Sequence, residues 1–139
     1  MNSITPNHYK TESGLQVWDV TRYMSGNMAQ AFQYVYRAGR KGDELEDLRK
    51  AVAFLEDWRQ HNDAPVMGNL SPGDMIEKEK PLRALLLNAA EWKRPVLNNI
   101  WHMDFCGDAI EGLEARIHAY HGTIFHLSRR ISELGGVDG

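Results

Sequence analysis

The sequence predicts an all-α fold, in which an N-terminal helical hairpin and a long C-terminal helix belong to one helical bundle. Apolar residues recur at intervals of three and four along much of the chain, which is the period of one face of an α-helix. Glycine, asparagine and aspartate signals separate these stretches at the points where helices would begin or end. The last third of the chain carries a heptad repeat, which indicates a long packed helix.

The first helix of the predicted hairpin follows Gly26. Asn27 is a favourable N-cap, because its side-chain oxygen can accept a hydrogen bond from the first turn. Gly39 suits the position just after the helix, where the backbone turns left-handed. An apolar stripe between these ends predicts the buried face, formed by Met28, Ala31, Phe32 and Val35.

The second helix of the hairpin is predicted to begin after Asp43 and to run to about His61. Asp43 and Glu46 have the spacing of a capping box. Acidic residues precede basic ones, which suits the helix dipole. Leu45, Leu48, Val52 and Leu55 form its predicted buried face.

The chain is predicted to form one compact domain with three parts. Residues 1–61 hold an N-terminal arm and the hairpin, with a short helix favoured over 17–24. Residues 62–74 are rich in Pro, Gly and Asn and are predicted to be a linker. Residues 75–139 hold the C-terminal helices. The first of these has Pro81 in its first turn, and Pro95 either ends it or starts the next one.

The heptad repeat has isoleucine at every a position and mostly leucine at d. One interpretation is a helix that packs against the rest of its own chain, and the other is a coiled coil between chains. The second predicts a homo-oligomer. The positions are Ile110, Leu113, Ile117, Tyr120, Ile124, Leu127, Ile131 and Leu134.

Composition excludes several classes of function. The chain has 139 residues and a net charge of −3, so bulk charge does not favour binding of duplex DNA. It has one cysteine, which suits a reducing cytoplasm, and no apolar stretch long enough to span a membrane. The N-terminus shows no apolar signal segment. We therefore expect a cytoplasmic protein that does not associate with membranes.

The stretch GNMAQAFQYVYRAGRKGDELEDLRKA, residues 26–51, places basic residues beside aromatic ones. A phosphate site needs cationic donors such as Arg37 and Lys41, and antiparallel packing could bring Lys50 towards Asn27. A base would need an aromatic wall such as Tyr34. The alternative is a solvated face, in which the acidic residues at 43–47 neutralise the basic ones.

The same residues resemble the DUF3310 family of small phage-associated proteins. The matching features are the pairs His8-Tyr9, Gly26-Asn27, Lys41-Gly42, Asp47-Leu48 and Lys50-Ala51, together with Tyr34 and Arg37. The resemblance covers about residues 7–58. Described family members are phage nucleotide kinases that act on deoxynucleoside monophosphates without a Walker P-loop, so the resemblance implies nucleotide binding in a host-cell cytoplasm. A kinase would also use ATP and Mg²⁺.

Carried over residue by residue, the resemblance implies a ligand-binding set of His8, Tyr9, Asn27, Gln33, Tyr34, Arg37, Lys41 and Lys50. Gln33 is a departure, because the family usually has lysine there. If that lysine contacts phosphate, catalysis is weakened more than binding. No catalytic residue is identified. Glu44 and Asp47 match half of the metal motif of MazG-like nucleotide pyrophosphatases, but no second acidic pair precedes them, so no metal site is expected.

Three other functions stay open at this point. The protein could bind a nucleotide signal without turnover, as a sponge-like anti-defence protein. It could be a MazG-like pyrophosphatase, or an adaptor built on the coiled coil.

His102 and Cys106 have the spacing of two zinc ligands but do not complete a site. His118 and His121 fall on the predicted surface of the last helix.

Overall fold

The computed structural model describes residues 16–61, 72–105 and 110–136. Every regular element within these ranges is an α-helix, which confirms the predicted all-α bundle. The elements are α1 (Trp18–Thr21), α2 (Gly26–Arg37), α3 (Glu44–His61), α4 (Pro72–Asn88), α5 (Lys93–Phe105) and α6 (Ile110–Glu133). None of them is both long enough and apolar enough to cross a bilayer.

Four helices form a closed bundle in the spatial order α2, α3, α6, α5, and each packs against the next. Neighbouring helices are antiparallel. The α2–α5 pair shows this directly, because Ser25 at the start of α2 contacts Asp104 near the end of α5. At the other end of the pair, Lys93 at the start of α5 contacts Tyr36 near the end of α2. Helix α4 packs outside this bundle, against α5 and α1.

The antiparallel order brings four helix ends together. The C-termini of α2 and α6 meet the N-termini of α3 and α5, and this region is called the loop end. Large side chains fill the core between the helices, and each contributes about 1.5–3 kcal/mol on burial. The largest fully buried ones include Trp58, Trp101, Tyr36, Phe32 and Met28.

The hairpin closes at the loop end much as the sequence predicts. Asp43 Oδ1 accepts a hydrogen bond from the Glu46 backbone N–H at 3.2 Å, which confirms Asp43 as the cap of α3. Gly39 follows the C-cap of α2 with φ of 81°, and Gly42 has φ of 78°. Only glycine adopts this left-handed region at low cost, so both positions fix the turn.

The predicted N-cap of α2 is wrong. Helix α2 begins at Gly26, so its N-cap is Ser25 and Asn27 lies inside the first turn. Ser25 makes no side-chain capping bond of its own. Its backbone N–H and its hydroxyl both donate to the carboxylate of Asp104, at 2.6 and 2.8 Å. A tertiary contact from α5 therefore fixes the start of the helix, and no local pattern encodes such a contact.

Helix α4 also differs from the prediction. It begins at Pro72, so residues 72–74 belong to a helix and not to the linker, and the linker's other residues lie outside the described ranges. Pro81 lies well inside the helix and not in its first turn. An internal proline costs roughly 3 kcal/mol. Good helix formers before Pro81, an ion pair from Lys80 to Glu77, and packing of Leu82 and Leu85 in the core offset this cost. Pro95 lies in the first turn of α5, as one alternative predicted.

The heptad face of α6 packs against helices α3 and α5 of the same chain. Leu127 and Ile131 are buried, and Tyr120 lies with its ring centroid 6.2 Å from that of Trp58. Ile124 and Leu134 are partly buried against the same core. The side chains of Ile110 and Leu113 lie outside the described part. Association of two chains through the heptad face stays a prediction. The described C-terminal half of that face packs within the chain.

Candidate functional site

Three residues of the family pattern converge on the outside of the α2–α3 hairpin. The guanidinium carbon of Arg37 lies 5.8 Å from the ring centroid of Tyr34, and Lys50 Nζ lies 5.5 Å from it. Phe54 stacks on the same ring, with 5.9 Å between centroids and 13° between planes. We call these four residues the tyrosine face. It combines an aromatic surface with two cations from different helices.

Each cation of the tyrosine face has a carboxylate partner. Arg37 Nε lies 3.3 Å from Asp47 Oδ2, and Lys50 Nζ lies 3.2 Å from Glu46 Oε1. Asp47 is only 2% exposed, and burial raises the pKa of its carboxyl, although Arg37 partly opposes this. The Glu46 carboxylate raises the pKa of Lys50, so the lysine stays protonated. The face therefore offers hydrogen-bond donors with little net charge.

The other predicted ligand residues are dispersed. Asn27 Nδ2 donates to Asp57 at 2.9 Å, near the end of the hairpin remote from its loop, so Lys50 does not approach Asn27. Gln33 is half-buried on α2, and Lys41 is exposed in the loop. His8 and Tyr9 lie outside the described residues. The hairpin thus brings together three of the eight predicted positions, Tyr34, Arg37 and Lys50.

Glu44 and Asp47, the two weak candidates for metal ligands, each form an ion pair with a different arginine. Glu44 Oε2 pairs with Arg130 Nε at 2.9 Å, whereas Asp47 pairs with Arg37. Within the described residues, no group of three histidine, cysteine or acidic side chains could hold a metal ion. His102 Nδ1 contacts the Asn98 carbonyl oxygen at 2.8 Å, and Cys106 lies outside the described part. His118 and His121 are exposed, as predicted.

A cleft of about 330 Å³ opens at the loop end and was not predicted. Three parts of the chain form it: the α2–α3 turn, the α4–α5 connection and the last turn of α6. Three cationic side chains and one carboxylate line this loop-end cleft. Its lining residues are Ala38, Gly39, Arg40, Glu44, Ala90, Trp92, Lys93 and Arg130.

Lys93 is the most unusual residue of the loop-end cleft. It is 4% exposed, and its ammonium donates to the carbonyl oxygen of Tyr36 at 3.0 Å and to that of Ala38. These carbonyls belong to the negative end of α2, which favours a cation there. Burial, with a smaller contribution from Arg40, lowers the pKa of Lys93 to about 8, although Glu44 opposes the shift. The lysine is therefore mostly protonated at neutral pH.

Two arginines hold the sides of the loop-end cleft. Arg40 Nη2 donates to the Asn88 carbonyl oxygen at 2.5 Å, and its guanidinium carbon lies 4.4 Å from the ring centroid of Tyr36. The guanidinium carbon of Arg130 lies 5.2 Å from the ring centroid of Trp92 while its Nε bonds Glu44. An aromatic face thus positions each guanidinium group, together with a backbone carbonyl group for Arg40 and a carboxylate for Arg130.

Sequence reasoning missed this cleft because its charged residues are far apart in the chain. Arg40 and Glu44 lie in the hairpin, but Lys93 and Arg130 come from helices in which the sequence shows no ligand-binding motif. One signal was available. Lys93 lies at the start of α5, where the helix dipole disfavours a cation. A lysine at this position therefore indicates a stabilising contact with another part of the chain.

Residues 4–56 match the model of a family described as a protein of unknown function, DUF3310. The match covers less than half of the chain, so the chain is similar to DUF3310 over this segment. No curated protein and no solved structure is significantly similar to the chain. The DUF3310 segment covers α1, α2 and most of α3, so it includes the whole tyrosine face. It supplies Arg40 and Glu44 to the loop-end cleft, whereas Lys93 and Arg130 lie beyond it.

Proposed function

We propose that this protein binds a nucleotide at the tyrosine face, with the ring of Tyr34 against the base and Arg37 and Lys50 on the phosphate. The observation that carries the proposal is the approach of both cations, from two helices, to within 6 Å of one aromatic ring. A cation beside an aromatic surface is the chemistry that a nucleotide requires. The resemblance to nucleotide kinases supports the same ligand class.

The cations of the tyrosine face already have carboxylate partners, so a ligand has to compete with existing ion pairs. A phosphate has to compete with Asp47 for Arg37 and with Glu46 for Lys50. Lys50 can exchange partners easily, because it is 45% exposed and its pair with Glu46 spans one helical turn at the surface. Arg37 is one third exposed, so a ligand can reach its guanidinium group while Asp47 stays beside it. Lys50 is therefore the residue whose loss should affect binding most cleanly.

Phosphoryl transfer to a deoxynucleoside monophosphate is the catalytic form of this proposal. Such a transfer depends on positioning and charge neutralisation, which cationic side chains supply. Glu44 and Asp47 do not fit a resident Mg²⁺ site, because each is paired with a different arginine. The same engagement of the acidic residues favours the second candidate, a protein that sequesters a nucleotide without turnover.

Calorimetric titration of wild type and Lys50→Gln with a deoxynucleoside monophosphate tests the binding proposal. We expect Lys50→Gln to weaken binding about tenfold, because a charge-assisted contact is lost. Arg49→Gln is the matched control, since Arg49 is an exposed cation on the neighbouring position of α3. Equal effects of the two variants would show diffuse charge attraction, and no binding by wild type would overturn the proposal.

A second measurement separates the two forms of the proposal. Wild type is incubated with ATP, Mg²⁺ and each deoxynucleoside monophosphate, and the diphosphate product is measured by chromatography. Product formation that falls in Lys50→Gln supports the kinase. Binding without product supports sequestration. Cyclic and oligomeric nucleotides in the same titration then identify the preferred ligand.

A further inference from the structure

We infer that the loop-end cleft is a second anion site, which binds a doubly charged oxyanion of the phosphate-monoester class. The inference goes beyond the proposed nucleotide site, because it uses Arg40, Lys93 and Arg130, none of which belongs to the tyrosine face. It rests on the shape of the cleft, on its excess of positive charge, and on a buried ammonium at its wall.

The charge of the loop-end cleft favours an anion. Three cations and one carboxylate line it, Arg130 pairs with Glu44 at 2.9 Å, and Glu133, which is not part of the lining, contacts Arg130 Nη1 at 3.4 Å. The tyrosine face differs, because its two cations are matched by two carboxylates. Neighbouring cations repel one another, and a dianion between them removes that repulsion. A ligand with two negative charges balances the cleft at neutral pH.

The geometry of Lys93 provides a directed donor. An ammonium carries three protons, and the carbonyl groups of Tyr36 and Ala38 account for two of them. Lys93 also lines the cleft, so the remaining proton is suited to a ligand oxygen. The two carbonyl bonds hold the ammonium in place before any ligand arrives. Less conformational entropy is therefore lost on binding.

The size and the wall of the cleft indicate what else the ligand carries. A volume of about 330 Å³ is near the lower end of the range for small-molecule sites and exceeds what a bare phosphate needs. The rest of the lining is uncharged and comes from Ala38, Gly39, Ala90 and Trp92. A phosphate monoester with a small organic group fits this combination better than inorganic phosphate does.

Two substitutions in one ion pair give opposite predictions. Arg130→Gln removes a cation, and we expect it to weaken binding of inorganic phosphate about tenfold. Glu44→Gln removes the only carboxylate of the cleft lining, and we expect it to tighten the same binding severalfold. Both variants break the same ion pair. A purely structural role for the pair would therefore change the two variants in the same direction.

Calorimetry with inorganic phosphate, and then with a small aliphatic phosphate monoester, measures these changes. Arg83→Gln is the matched control, because Arg83 makes a similar ion pair to Glu79 at 3.0 Å on α4, away from the cleft. Circular dichroism confirms that each variant is folded. Changes of opposite sign in Arg130→Gln and Glu44→Gln support the site. No phosphate binding by wild type, or equal losses in both variants, would overturn it.

The same titrations distinguish this site from the proposed nucleotide site. Lys50→Gln should leave binding of inorganic phosphate at the loop-end cleft unchanged. If nucleotide binding depends on Arg130 and not on Lys50, the proposed function fails while the cleft stands. If nucleotide binding depends on Lys50 while phosphate binding does not depend on Arg130, the proposed function stands and the site at the loop-end cleft is ruled out.

Discussion

Arg37 of α2 and Asp47 of α3 form an ion pair in which the acid is almost completely buried and the base is one third exposed, with 3.3 Å between Nε and Oδ2. The pair bridges the two helices of the hairpin beside the turn at Gly42. Arg37 therefore has two roles, because it compensates a buried carboxylate and its guanidinium carbon also lies 5.8 Å from the ring centroid of Tyr34.

Removal of Arg37 should destabilise the fold. In Arg37→Ala the buried Asp47 loses its cationic partner, and we expect a loss of about 1–3 kcal/mol in the free energy of unfolding. Asp47→Asn in the same background should restore part of this loss, because the uncompensated charge is gone. Urea unfolding at neutral pH measures both. If Arg37→Ala costs no more than the exposed Arg83→Ala, the ion pair contributes nothing to stability.

Gln33→Lys should strengthen nucleotide binding. Gln33 lies one helical turn before Arg37 on α2, so a lysine there adds a cation next to the tyrosine face. We expect tighter binding with a steeper dependence on salt, because screening weakens ion contacts. The control is Gln60→Lys, which adds the same charge at an exposed position of α3, near the end of the hairpin remote from its turn. Identical affinity and salt dependence in both variants would show that position 33 does not face the ligand.

Asp104 should make stability depend on pH in the acid range. Burial raises the pKa of this carboxyl, and the two hydrogen bonds from Ser25 partly oppose the rise. Below the unfolded value of 3.8, both states are protonated. As pH rises from there through the folded pKa, only the unfolded chain releases its proton, so stability falls by up to about 1.4 kcal/mol per pH unit.

Asp104→Asn isolates this effect, because asparagine cannot ionise but still has an oxygen for the Ser25 N–H. We expect the variant to gain stability relative to wild type as pH rises through this window, and to keep the gain above it. Urea unfolding of both proteins from pH 3.5 to pH 7 provides the comparison. A difference that stays constant over the whole range would contradict the assignment.

Anion binding at the loop-end cleft should weaken in mild alkali. Lys93 has a folded pKa of about 8, and above this value it loses the ammonium charge that favours the ligand. The charged groups that act on Lys93 are Arg40, Arg130, Glu44 and Asp47. Sulfate is the suitable probe, since it stays doubly charged throughout. Calorimetry should show lower affinity at pH 9.5 than at pH 7, and the dependence should vanish in Lys93→Met, checked for folding by circular dichroism.

The heptad face of α6 should matter for the folding of the single chain. Leu127 is fully buried, so Leu127→Ala should cost about 2–5 kcal/mol through the cavity that it leaves. Phe125→Ala on the same helix is the control, because that ring is 63% exposed. Light scattering on wild type measures self-association at the same time. Dissociation without loss of stability in Leu127→Ala would show that the seam joins two chains.

The local parts of the fold could be predicted from sequence, and the tertiary parts could not. Asp43 as a cap and Gly39 as a helix end depend on a few neighbouring residues, so the pattern identifies them. The N-terminus of α2 was misplaced because Asp104, far along the chain, fixes Ser25. The tyrosine face was anticipated in part, since Tyr34 and Arg37 share a helical face. The loop-end cleft depends on how four helices meet, and no spacing in the sequence records that.

The division of the loop-end cleft between two parts of the chain has an evolutionary consequence. The DUF3310 segment ends at residue 56 and supplies Arg40 and Glu44, whereas Lys93 and Arg130 come from helices outside it. A relative that shares the hairpin but carries a different C-terminal half would keep the tyrosine face. Different side chains would then line the cleft beside the α2–α3 turn. Ligand preference at the cleft can thus diverge by exchange of the downstream helices while the inherited hairpin stays intact.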